Sequence, residues 1–146
     1  MTADEFLAAF EAAVIPRSEW THAAHVHMAW LYLMRFSPAE AMERVRCGIQ
    51  KLNAVIGVAG GYHETITVAF VRVISARLLH AEPYASFRDR NPDLFDRSLS
   101  AILRHYTRER LFSGEARAAF VEPDLASLPT LGPVSLSGRM NSLAAD

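Results

Sequence analysis

The chain holds one cysteine, Cys47, in 146 residues. An internal disulfide is therefore excluded, and so is a thiolate metal cluster. Cys47 falls inside an amphipathic helix pattern with no histidine near it in sequence, and it reads as a small buried hydrophobe. No apolar run is long enough to span a bilayer, because Arg and Glu interrupt every candidate. The first residues lack the basic-then-apolar order of a secretion signal, since Asp4, Glu5 and Glu11 break it. A cytoplasmic location is the expectation. A basic surplus is missing too: 15 Lys and Arg face 16 Asp and Glu. Nucleic acid is thus not an expected partner, because neutralising phosphates needs excess positive charge. Arginines gather between Arg88 and Arg117, but Asp89, Asp93, Asp96, Glu109 and Glu115 dilute them. The chain also lacks a Gly-x-Gly-x-x-Gly turn, a phosphate-binding Walker loop and a Gly-x-Ser-x-Gly elbow. No internal repeat is visible.

What is present is helical period. Thr2 is a cap for a first helix over 3–13, carrying Phe6, Leu7 and Phe10 on one stripe. Thr21 caps a second helix from His22 to about Phe36. Ser37-Pro38-Ala39-Glu40 is a start signal, with a capping serine, proline in the first turn and a glutamate able to reach back. The helix it opens carries Met42, Val45, Ile49, Leu52 and Ile56 at steps of three and four, until glycines between Gly57 and Gly61 end it. The stretch Thr65 to Ile74 is rich in β-branched residues and could be a strand. Its length and its continuation to His80 favour a helix. Tyr84–Arg90 reads as a short helix, and Asn91-Pro92-Asp93 as the start of another that carries Leu94, Phe95, Leu99, Ile102 and Leu103. Thr107 and Ser113 are caps for two last short pieces. From Pro123 onward no helical period survives, and Leu125 and Leu128 are the residues able to dock.

The expectation is an all-α, single-domain bundle of about five to seven helices, long enough for a real core. Residues 1–122 form the helical domain, and residues 123–146 an irregular, extended C-terminal tail. A polar pocket is expected inside the bundle or at one end.

The candidate chemistry lies in two stretches. Trp20 to Trp30 holds His22 and His25, three residues apart and hence on one helix face. Gly60 to Thr67 holds His63 and Glu64. Neutral imidazoles suit zinc, iron, copper and nickel, and a His-x-x-His pair offers two nitrogens to one side of an ion. If helix packing brings His63 alongside, three histidines could hold a divalent transition metal, zinc or iron first, with a position open to water or substrate. Glu64 would then be a further ligand or a proton shuttle. The plainer alternative is that the histidines satisfy buried hydrogen bonds. For His27, His80 and His105 that structural role is the expected one. Tyr62, Thr65 and Thr67 supply hydroxyls that could orient a ligand.

Trp20-Thr21-His22 through Trp30-Leu31-Tyr32-Leu33, then Gly61-Tyr62-His63-Glu64-Thr65-Ile66-Thr67 and Phe120 to Leu125, resemble an uncharacterised family of small bacterial proteins. The resemblance covers most of the chain outside the tail. It implies a compact, mainly helical bacterial protein in which the histidine segments belong together, and it names no substrate.

Two function classes follow. One is a small metal-dependent enzyme acting on a small molecule, with metal on His22, His25 and His63 and catalysis through Glu64. The other is a non-catalytic helical module that binds a small ligand or a metal as a sensor. A helical interaction protein is the third reading. The expected partner is a small molecule; neither nucleic acid nor a membrane is expected, and a homo-oligomer is left open.

Overall fold

Capping residues set the helix starts. In the computed structural model, which describes residues 1–131, the Thr2 hydroxyl accepts from the Glu5 amide and the Glu5 carboxylate returns the bond, opening α1, Ala3–Glu11. Thr21 accepts from the Ala24 amide to open α2, His22–Arg35. Ser37 does the same for α3, Pro38–Ile56. Glu40 was expected to bond back to that cap. It binds Arg44 one turn on instead, where a charged donor outcompetes an amide. α4, Glu64–Ala76, is capped by His63. Beyond it come α5, Tyr84–Arg90, a 3-10 turn over Pro92–Phe95, α6, Ser100–Leu103, α7, Arg108–Leu111, and α8, Gly114–Ala118. Thr107 and Ser113 cap the last two as anticipated. The described residues are all-α, with eight α-helices, five of them seven residues or longer.

Helices α2, α3 and α4 each pack against the other two. They form the centre of the bundle and the frame of the site. α1 lies across α2 and α3, where Phe10 is fully buried. Gly48 makes that approach possible: a Cβ there would stand 2.2 Å from the Phe10 ring. Gly57, at φ 83°, closes α3 in the left-handed conformation that a side chain would strain.

α4 settles the ambiguous stretch. Its buried residues include Thr65, Ala69, Val71, Val73 and Ile74, which lie on more than one face. It contacts α2, α3, α6 and α8. A helix surrounded in this way can be apolar nearly all round, so its β-branched run reflects burial rather than a strand.

Three expectations are corrected. The helix expected from Asn91 breaks after Phe95, because Asp96 takes the Ser98 amide and hydroxyl and Leu99 turns left-handed at φ 64°. Cys47 is exposed, because it sits two residues past Val45 and so points away from the Val45–Ile49–Leu52 stripe. In the tail, Leu128 is buried while Leu125 remains 58% exposed. The remainder of the expected tail, residues 132–146, lies outside the described residues. No helix among the described residues is long and apolar enough to cross a membrane.

Candidate functional site

Where α2, α3 and α4 meet, their inner faces leave a cavity of about 270 Å³. A concave, mostly apolar space of this size between the helices of a bundle is the candidate site. Its floor is made of Val26, Met28 and Ala29 from α2, Val45 and Ile49 from α3, and Val71 and Ile74 from α4, all buried. Its rim is half-exposed and consists of His22, His25, Ile66, Thr67, Phe70 and Leu99. The expected polar pocket is thus an apolar chamber with three polar side chains at its edge.

The i, i+3 spacing does bring His22 and His25 to one place. His22 donates from Nε2 to the Leu94 carbonyl at 2.9 Å and meets the Phe70 ring edge-on at 5.4 Å. His25 donates from Nδ1 to the Thr21 carbonyl at 2.7 Å and stacks on Trp20 at 3.8 Å. One nitrogen of each ring, His22 Nδ1 and His25 Nε2, has no partner among the described residues. Burial holds the His25 pKa below the usual histidine value, and the neighbouring His22 adds to that against the bond to Thr21. His25 is therefore neutral at pH 7, and its free nitrogen is an acceptor. The Thr67 hydroxyl donates to the His63 carbonyl at 2.8 Å.

His63 is not part of this group. Its Nδ1 accepts from the Ile66 amide at 3.1 Å as the cap of α4, and its Nε2–H donates to the Leu111 carbonyl at 2.7 Å. Both nitrogens are spent on backbone. Glu64 is also engaged elsewhere. It accepts from Tyr62 at 2.5 Å and forms a two-pronged ion pair with Arg46 of α3 at 3.0 Å. Burial first, and then that bond, push the Tyr62 hydroxyl up to about 12. Among the described residues no three His, Cys, Asp or Glu side chains stand where they could share an ion. The expected set of His22, His25, His63 and Glu64 does not fit one resident metal in this arrangement, since catalytic sites draw on three protein ligands.

Of the remaining histidines, His80 is exposed and has no side-chain partner among the described residues, while the other two have structural partners. His27 stacks on Tyr84 at 3.9 Å and on Phe6 at 5.3 Å. His105 meets the Ala126 carbonyl at 3.0 Å.

A second cavity, of about 280 Å³, opens on the other side of His25. Arg17, Trp20, Asn53, Ile56, Val58 and Gly61 complete its wall. The sequence reading missed it. A signal was present in Asn53, a polar residue beside Leu52 and Ile49 on the apolar stripe of α3 and only 7% exposed.

No family model matches the chain, and no curated protein or solved structure matches it either. The functional reading therefore rests on this geometry.

Proposed function

We propose that the protein is a binding module for a small molecule with an apolar body and one polar group. The observation that carries this is the central cavity, with its buried aliphatic floor and its free imidazole nitrogens at the rim. An apolar cavity of about 150 Å³ is enough to hold benzene. The space here suits a substituted single ring or a short branched chain. The free nitrogens of His22 and His25 would accept a hydrogen bond from a hydroxyl or amine on the ligand, which fixes its orientation. Leu99 supports the same reading. A leucine held at φ 64° in a pocket wall is strain of the kind that collects at ligand clamps.

The test is calorimetric titration with 2-phenylethanol and with ethylbenzene, on the protein and on Ala29→Phe, whose new ring would fill the floor. Both compounds should bind, the alcohol more tightly, and the filled variant should bind neither while keeping its helical circular dichroism. If neither compound binds the natural chain, this reading fails.

The metal-dependent enzyme retains one supporting observation, the pair of free nitrogens on His22 and His25. Elemental analysis of purified protein beside His22→Ala tests it: a near-stoichiometric metal lost in the variant would revive it. A bacterial origin within the uncharacterised family and a cytoplasmic place belong to the proposal as well.

A further inference from the structure

The second cavity has the chemistry that the first one lacks. Asn53 is more than nine-tenths buried, lines this cavity and has no hydrogen-bond partner for its side-chain amide among the described residues. The indole N–H of Trp20, in the same wall, is buried and unpartnered. Buried polar groups are nearly always satisfied, so the indole is one orphan in this wall, while the Asn53 amide keeps access to the cavity. Arg17 supplies charge. Other arginines of the fold are engaged, Arg46 by Glu64, Arg77 by Asp93 and Arg90 by Glu82. The Arg17 side chain has neither an ion pair nor a hydrogen bond among the described residues. The lining contains no Asp or Glu.

A wall with one fixed positive charge, a free amide donor and no acid is complementary to a monoanion. A carboxylate fits better than a phosphate dianion, which would keep one charge uncompensated. The two cavities meet at a single side chain, since the His25 ring lines both. We propose that they are two halves of one site and that the ligand is an apolar carboxylic acid. Its body lies between α2, α3 and α4, and its carboxylate lies past His25, beside Arg17 and Asn53. This rests on the ligand-binding reading above and replaces its hydroxyl or amine by a carboxylate, which accepts from Arg17 and Asn53 and makes no bond to the lone pairs of His22 and His25.

The experiment is a titration series with phenylacetate, 3-phenylpropionate and 4-phenylbutyrate, each against the primary alcohol of equal length. The graded length lets the carboxylate find its distance from the apolar chamber. At one length or more the acid should bind at least tenfold more tightly than its alcohol. Arg17→Gln should remove that advantage while leaving alcohol binding unchanged. Arg17 is exposed, so this substitution does not threaten the fold. Asn53→Leu should reduce the same advantage.

If the alcohols bind and no acid gains over them, the carboxylate inference is overturned and the ligand-binding reading stands. If neither series binds, both fall. An acid advantage that survives Arg17→Gln and Asn53→Leu also overturns it. So does acid binding that Ala29→Phe leaves intact, because the anion site would then be independent of the apolar chamber.

Discussion

His63 shows how one side chain can resemble a ligand and serve as a joint. Its lone-pair nitrogen caps the Ile66 amide, its N–H reaches the Leu111 carbonyl, and its own carbonyl accepts from Thr67. The ring thus ties α4 to α7. Replacing a capping side chain by alanine costs about 1 kcal/mol. Leaving the Leu111 carbonyl unpaired costs about 1–3 kcal/mol more. His63→Ala should therefore lower the unfolding free energy by about 2–4 kcal/mol in urea titration. His63→Asn should recover about 1 kcal/mol of that, because asparagine caps well but cannot span the distance to Leu111. An alanine variant within 0.5 kcal/mol, roughly, of the natural chain would refute the joint. The sequence could be read as far as the His22–His25 pair, because i, i+3 spacing is local geometry. It could not decide His63, because a free imidazole lone pair serves a metal or an amide equally well. The one available hint was position, a polar residue directly before an amphipathic helix. Asn53 and Trp20 were harder still, since an unpartnered donor is a property of the whole packing.

Among the elements, the capped helix starts and the glycine end of α3 were legible, and the break at Leu99 was not. Thr2, Thr21, Ser37, Thr107 and Ser113 each bond the amide three residues on, a pattern written within four residues of sequence. The break at Leu99 has no such local mark, because a leucine does not ordinarily adopt positive φ. Two alanines share that conformation, Ala13 at φ 58° and Ala81 at φ 61°. Ala81 lies in the turn between α4 and α5 and is exposed. The left-handed conformation costs a side-chain-bearing residue about 1–2 kcal/mol. Glycine escapes that cost but loses about 0.5–1 kcal/mol more in backbone entropy on folding. The difference favours glycine, so Ala81→Gly should stabilise the protein by about 0.5–1 kcal/mol. It should appear as a higher urea midpoint with unchanged slope. A lower midpoint would show that the turn gains something from the alanine methyl group.

At the scale of the whole molecule, buried histidines couple folding to pH. Burial lowers the pKa of His25, His27 and His63, each in a different part of the bundle. In the unfolded chain these rings titrate near 6.5, roughly the free value. Between that value and their lowered folded values the unfolded state binds more protons, so stability rises with pH there. The histidine contribution is therefore complete above about pH 6.5 and is lost as pH falls through the lowered range. A second group acts lower down. The bond to Arg90 holds Glu82 down at about 2, and Asp93 is lowered by Arg77 and Asp124 by Thr107. Their contribution is present above the free carboxylate range, near pH 4, and fades below it. The urea midpoint should thus be flat from about pH 8 to 7, decline as pH drops through 6, and decline again below about 4. His27→Phe should flatten part of the first decline, because phenylalanine can keep the stacks on Tyr84 and Phe6 without a proton to take up. A midpoint unchanged between about pH 7 and 5 would mean that the three rings take up protons alike in the folded and unfolded chain. Below about pH 6 His25 would then present a cation to the cavity rather than an acceptor. The bond to the alcohol would then turn round, the ring N–H donating to the hydroxyl oxygen, and the alcohol would keep its advantage over ethylbenzene at that pH.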